Sequence, residues 1–383
     1  MNERRYDWLS DRWVIFAPNR DDRPDEYKTQ HRQLPSNHVE CPFCSGAESE
    51  TPAPTLVLPE NDFDSTVTNR KMDSSKLVRA PWQVRVVPNR FPAIPRYSES
   101  LGNEMPLRMH PIDSPQSDGT DRFRSAVAVF SAPAKKASHL FQKHEPRGTH
   151  EVIIESPTHV DSITGLSHDH IALILEAYRR RLSHCRSQKD LKYAVVFKNY
   201  GADAGASLFH SHSQLISLDF VPRDIERLSQ RLALHYTRFG CCYVCQMMAE
   251  ELEFQERVVY ESDHFVAICP FASRFPFSFS IIPKTHRSRY EEIVPAELND
   301  LACVAKATLS ALESAHPSAA YNFVLQTSPF CAEAESSEHW RLRVIPRLSK
   351  VAGFEWGSDC FINTVTPEEA TKTLRAQLRV EDC

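Results

Sequence analysis

The chain has no apolar signal core near its start and, across 383 residues, no run of about 18 apolar residues, the length that spans a bilayer. Its opening, Met1 to Trp8, is charged and aromatic, so no membrane partner and a cytoplasmic location are expected. Nor is there a basic stripe. A formal net charge of -5 and a pI near 6.4 argue against nucleic acid, and leave room for a small anionic ligand held by a few local arginines. No Walker loop and no dinucleotide fingerprint occur. What is present is enough apolar material, 41% of residues, to bury a core and to divide into two or three domains.

Four of the eleven cysteines fall in two Cys-x-x-Cys pairs, which without a secretion signal favour metal or redox chemistry over disulfides. The other seven (Cys185, Cys241, Cys269, Cys303, Cys331, Cys360 and Cys383) read as buried or idle thiols.

The pairs belong to an internal repeat. Cys41-Pro-Phe-Cys44, Asn89-Arg-Phe-Pro92, Ile153-Ile-Glu-Ser-Pro-Thr-His159 and His210-Ser-His212-Ser-Gln214 are answered in the same order. The second series is Cys242-Tyr-Val-Cys245, Ser273-Arg-Phe-Pro276, Ile281-Ile-Pro-Lys-Thr-His286 and Glu338-His339-Trp-Arg-Leu-Arg343. His159 to His210 is 51 residues and His286 to His339 is 53, whereas Cys44 to His159 is 115 against 41 for Cys245 to His286. The excess reads as an insertion near 95–148, aperiodic and polar around Ser98 to Asp121. The expected units are 1–225 and 226–383.

β-branched runs at Val84 to Val87, Glu151 to Ile154, Tyr193 to Phe197, Phe277 to Pro283, Tyr321 to Leu325 and Trp340 to Ile345 predict strands. Apolar spacing predicts helices over Ile171 to Leu182 and near Ala296 to Ala315. The expected fold is α+β: two tandem units, each an antiparallel sheet with helices packed on one face.

Two thiolates and two imidazoles make a structural zinc site. The repeat nominates Cys41, Cys44, His159 and His210 for one, and Cys242, Cys245, His286 and His339 for the other, about two zinc ions per chain. A lone histidine is ordinarily a core or surface imidazole; the repeated spacing argues otherwise. Four protein ligands leave no open position for substrate.

A small-residue loop, Gly201 to Ser207, feeds a strand on which His210, His212 and Gln214 share a face. Gly201, Gly205 and Ala206 let backbone amides approach an anion. His212 is placed to attack a phosphorus as a neutral imidazole, provided its far nitrogen donates to a backbone carbonyl. Gln214 and the loop amides then stabilise the charge that builds. The second unit has Arg341 and Arg343 at the matching positions, so only the first can carry a covalent intermediate.

His-x-His-x-Gln after a Gly/Ser loop resembles the galactose-1-phosphate uridylyltransferase branch of the histidine triad superfamily, over nearly the whole chain. The resemblance implies a ping-pong nucleotidyltransferase with a nucleotidylated His212. It implies nucleotide and phosphate contacts from Asn89, Asn199, Ser207, Gln214, Arg20 and Arg23, and hexose contacts from Phe354 and Glu355 reaching across a homodimer. His210-Ser-His212, the Cys/His second metal site and Gly353-Phe-Glu-Trp-Gly357 are more similar to the plant-type ADP-glucose phosphorylase group of that branch. The expected partners are therefore a UDP- or ADP-hexose and a sugar 1-phosphate or phosphate. The expected activity is UDP-glucose:hexose-1-phosphate uridylyl transfer, with ADP-glucose phosphorolysis as the alternative. A histidine-triad hydrolase, disfavoured by Gln214, and a nucleotide-binding module without turnover are the other readings.

Overall fold

The computed structural model describes residues 2–20, 41–58, 82–94, 144–317, 319–330 and 336–379. Arg23 and residues 95–143 of the expected insertion lie outside them.

Ten strands form one antiparallel sheet among the described residues. Its first five, from the edge inward, are β3 (Leu56–Leu58), β4 (Val84–Pro88), β5 (Gly148–Ile154), β7 (His212–Leu218) and β6 (Tyr193–Tyr200). The other five, from the opposite edge inward, are β8 (Val258–Glu261), β9 (Phe265–Ile268), β10 (Phe279–Pro283), β12 (Arg341–Pro346) and β11 (Tyr321–Gln326). The halves repeat one order and meet where β6 pairs with β11, from Val196 opposite Leu325 to Tyr200 opposite Tyr321. The sequence predicts one sheet per unit; the structure runs the two together. Left apart, β6 and β11 would each expose a row of unpaired backbone groups at a sheet edge, and pairing removes both. Tyr200 and Tyr321 stack across the seam with ring centroids 4.6 Å apart.

Helices α1 (His168–Ser187) and α4 (Pro295–Ala315) pack together on one face. α1 starts at Ser167, whose hydroxyl accepts from the His170 amide. α4 starts at a proline, with the Glu297 carboxylate accepting from the Val294 amide at 3.1 Å. Alternate strand residues point into this layer, including Val86, Ile153, Val196, Leu215, Phe279, Phe323, Leu342 and Val344. The opposite parity faces the other way. There α2 (Arg223–Phe239) and α3 (Tyr243–Phe254) cover Val266, Ile268 and Ile282 at the second end. At the first end, among the described residues, Val152 and Ile154 form a small cluster with Val57, Trp82, Val87 and Phe43. His212 and Gln214 lie on the face of β7 opposite α1.

A three-stranded sheet, not anticipated from the sequence, joins β1 (Glu3–Asp7), β2 (Arg12–Phe16) and β13 (Phe361–Asn363), the last parallel to β2. Short α5 (Gly353–Ser358) precedes β13 and α6 (Pro367–Arg375) follows it. Cys303, read as a buried or idle thiol, is disulfide-bonded. No helix among the described residues is long and apolar enough to cross a membrane.

Phe323 is 2% exposed at the centre of the shared sheet, its ring edge-on to Tyr178 of α1. Phe323→Ala is expected to cost about 3–5 kcal/mol by creating a cavity there. A urea denaturation midpoint unchanged from wild type would contradict this placement of the core.

Candidate active site and metal centres

Each predicted Cys/His quartet comes together in space, its four ligand atoms within 4.8 Å of one another. With zinc–sulfur bonds of about 2.3 Å and zinc–nitrogen bonds of about 2.0–2.1 Å, the sulfur-to-nitrogen edge of a tetrahedron is about 3.6 Å. In the first group Nδ1 of His210 lies 3.4 Å from Cys41 Sγ and 3.6 Å from Cys44 Sγ, and Nδ1 of His159 lies 3.6 Å from Cys44 Sγ. In the second, Nδ1 of His286 and of His339 lie 3.3 and 3.4 Å from Cys245 Sγ. The far nitrogens complete the fit. His210 Nε2 faces the Ser156 carbonyl at 2.9 Å and His339 Nε2 faces the Pro283 carbonyl at 3.0 Å, so each must donate there and turn a lone pair on Nδ1 toward the thiolates. Both groups therefore suit a four-coordinate metal.

The first group gathers around the chain just ahead of β7. His210 precedes the strand rather than lying on it, and the strand opens at His212. The His210 carbonyl lies 2.8 Å from His212 Nδ1. A carbonyl only accepts, so Nδ1 carries the proton and Nε2 keeps its lone pair. Burial lowers the His212 pKa, and Lys198 adds to this against the opposing effect of the His210 carbonyl, favouring the neutral ring. Phe43, inside the Cys41–Cys44 knuckle, sets its ring edge-on to His212 at 5.3 Å and to His210 at 5.9 Å. The knuckle thus supplies two ligands and a wall for the His212 imidazole.

Two residues along, Gln214 is oriented by His150 on β5. The Ala93 amide donates to His150 Nδ1 at 3.1 Å, which leaves the proton on Nε2; that donates to Gln214 Oε1 at 2.8 Å. The Gln214 amide nitrogen is left available as a donor. Asn89 lies beside the same ring, Nδ2 to Nε2 3.1 Å, and its Oδ1 accepts from the Phe91 amide. The loop before β7 turns on Gly201, at φ +82°, and Gly205, at φ +89°. At Gly201 a Cβ would also meet the Ala320 Cβ at 2.8 Å, so the loop lies directly on the second half. Asn322 of β11 donates to Asn199 Oδ1 at 2.8 Å and to the Ala204 carbonyl at 2.9 Å, fixing both loop and side chain.

Beneath β7, on the helix side, lies a buried ion pair that the sequence reading missed. Lys198 Nζ and Glu155 Oε2 are 2.5 Å apart, 1% and 0% exposed. Lys198 also donates to Ser211 Oγ at 2.8 Å and to the His212 carbonyl at 3.2 Å. Ser211 and Tyr178 donate to Glu155 at 2.6 and 3.0 Å, and Ser213 donates to it as well. Burial pushes the Glu155 pKa up, but Lys198 and the serine hydroxyls together hold it below the ordinary carboxylate value. Both side chains flanking His212 are therefore fastened from below.

Over 376 residues the chain is 31% identical to the ADP-glucose phosphorylase of Arabidopsis thaliana, spanning 97% of this chain and 92% of that one. The chain belongs to the galactose-1-phosphate uridylyltransferase and ADP-glucose phosphorylase family. Residues 135–381 also match the family described as a domain of unknown function (DUF4921). The galactose-1-phosphate uridylyltransferase of Thermotoga maritima is 27% identical over 98% of each chain. The crystal structure of the Arabidopsis thaliana ADP-glucose phosphorylase with bound ADP-glucose superposes with a TM-score of 0.73 at 29% identity, covering 98% of this chain and 99% of that one. Membership of this family places the chain among nucleotidyltransferase-type enzymes.

Of the residues that the family resemblance nominates, the structure gathers His212, Gln214, Asn89 and the Gly201–Ala206 loop on one face, with Asn199 held beside the loop. Ser207 is exposed at the end of that loop, and Arg20 is exposed after β2. Phe354 is exposed on α5, while Glu355 caps that helix by accepting from the Ala352 amide at 2.9 Å. Neither makes a hydrogen bond or ring contact with His212, Gln214 or the loop. His150, Phe43, Glu155, Lys198 and Asn322 were not foreseen. Only Phe43 carried a signal, its place inside the knuckle.

Lys198→Met leaves the Glu155 charge buried without its partner, and is expected to cost about 3–5 kcal/mol in chemical denaturation. Adding Glu155→Leu should recover most of that loss. A single variant as stable as wild type would refute the pairing. For the metals, elemental analysis of protein expressed with zinc should find up to two equivalents, with Cys41→Ser and Cys242→Ser each removing one; loss of both from either substitution would contradict separate centres.

Proposed function

We propose that this enzyme transfers a nucleoside monophosphate from a nucleotide sugar to a phosphate-bearing acceptor through a covalent intermediate on His212. The observation that carries the reading is the 2.8 Å contact from His212 Nδ1 to the His210 carbonyl, which leaves the outer nitrogen the lone pair that a nucleophile needs. Nε2 attacks the α-phosphorus; an N–P bond forms, the bond to the bridging oxygen breaks, and sugar 1-phosphate leaves with the electron pair. An acceptor phosphate oxygen then attacks the same phosphorus, and the N–P electrons return to His212. The amide of Gln214 and the N–H groups of the Gly201–Ala206 loop donate to the nonbridging oxygens as negative charge grows. Arg20, Asn89, Asn199 and Ser207 are assigned to nucleotide and phosphate contacts. Phe354 and Glu355 are assigned to the hexose bound by a second copy in a homodimer. Zinc is the metal proposed for both centres, and its chemistry is structural cross-linking.

Adenylyl transfer from ADP-glucose to inorganic phosphate is the version we favour. The relative of 31% identity bears that name, and His210-Ser-His212 with a Cys/His second centre fits that group. Uridylyl transfer is supported by the relatives named for it. Intact-mass spectrometry after incubation with ADP-glucose, and separately with UDP-glucose, decides. An AMP adduct absent from His212→Gly is the expected result. A UMP adduct alone would move the assignment to the uridylyl version, and no adduct from either donor in metal-loaded protein would overturn covalent catalysis.

A further inference from the structure

The second half of the sheet keeps the site's frame but fills it with different chemistry. β12 stands where β7 stands in the first half, and Arg341 and Arg343 take the places of His212 and Gln214. Leu342 and Val344 point into the α1/α4 core, so the two arginines face the opposite side, as His212 and Gln214 do. Each half also has a cavity at corresponding repeat positions. In the first it is lined by Asn89, Thr149 and His150; in the second, by Ser273, Arg274, Ser278, Ser280, Arg343 and Asp7. The second cavity is partly open to solvent and has a volume of about 40 Å³.

Its charges are unbalanced. Arg274 and Arg343 make no hydrogen bond or ion pair among the described residues; Arg274 only lies over the Phe361 ring, 5.2 Å from its centroid. Asp7 is committed to its own turn, accepting from the Leu9 and Ser10 amides at 3.1 and 3.4 Å and from the Ser10 hydroxyl. Arg341, alongside, adds a third positive charge; among the described residues its hydrogen bonds go to neutral Gln326, while Asp7 and Glu338 act on it through their charge. Burial, and then the neighbouring arginines, lower Arg274 and Arg343 to about 10, so both remain charged near neutral pH while repelling one another. The Ser278 hydroxyl, on the cavity wall, is buried with no hydrogen-bond partner among the described residues. Asp7 and, for Arg274, Asp359 act on these guanidinium groups through their charge alone; two guanidinium groups against one carboxylate on the cavity wall leave positive charge over, and a tetrahedral dianion offsets it by accepting paired N–H donors from each.

We propose that this cavity is a second anion site, which binds inorganic phosphate or a phosphomonoester between Arg274 and Arg343 with Ser278 as a further donor. It holds its ligand without turnover, because no nucleophile stands in the place of His212. The second site is independent of the covalent reading of His212.

Equilibrium dialysis of the metal-loaded full chain against radiolabelled inorganic phosphate tests it, with AMP or UMP added to occupy the first site. Wild type is expected to retain about one equivalent under these conditions. Losing a charge-assisted contact should weaken that retention by roughly 10- to 100-fold in Arg343→Gln and in Arg274→Gln, with a smaller loss in Arg343→Lys. The difference between wild type and variant is the readout, so the result does not depend on what His212 carries. Glucose 1-phosphate as competitor separates a phosphomonoester from free phosphate. If Arg343→Gln does not fold, Arg274→Gln gives the answer, since among the described residues its guanidinium makes no hydrogen bond and lies over the Phe361 ring. Equal retention in wild type and both variants, or none in wild type once nucleotide is bound, would overturn the site.

Discussion

The pairing of β6 with β11 joins two similar halves back to back along five residue pairs, and the organisation of the site depends on it. Because the strands meet there, Asn322 of the second half reaches Asn199 and the Ala204 carbonyl of the first, and Ala320 packs against Gly201. The loop that feeds β7 is therefore held by a strand more than 110 residues further on, and it cannot keep this shape if the halves separate. A glycine is required at 201 for that reason, since both its φ and the room beside it exclude a side chain.

Around this seam the two halves use one frame for different ends. In both, a Cys-x-x-Cys knuckle and two histidines can gather a metal, and in both the histidine ahead of the inner strand donates its far nitrogen to a carbonyl near the end of the neighbouring strand. The matched second contacts put each group of potential ligands at the start of the corresponding strand. The side chains carried by the strand itself differ: a tautomer-locked imidazole and an oriented amide in the first half, and two arginines in the second. Cross-linking the chain beside a reactive group limits its freedom without consuming a metal coordination position, which is how a four-ligand centre can support chemistry it does not perform.

The Glu155–Lys198 pair shows the cost of that rigidity. Two charges at 0% and 1% exposure require desolvation that apolar residues would avoid, and it is offset only because nearly every donor and acceptor around them is matched. Ser211 and Ser213, the neighbours of His212, are part of that matching. Their short hydroxyl side chains reach the pair from a strand whose other face carries the imidazole.

By itself the sequence determined the repeat, the eight Cys and His positions that the fold gathers into two groups, the principal strands and helices and the His212–Gln214 strand, because these depend on residue type and short-range spacing. Period-two alternation puts His212 and Gln214 on one face wherever the strand lies, and a repeated Cys/His order is hard to read as ordinary packing. Tertiary structure alone decided that two sheets become one, that the His210 carbonyl fixes the His212 tautomer, that His150 turns Gln214, and that Lys198 meets Glu155 across 43 residues of chain. Each of these depends on a backbone atom or a partner from a distant strand, and neither leaves a mark in local composition. A lysine at the end of a β-branched run reads as solvent-facing until the fold supplies the carboxylate that allows it to be buried.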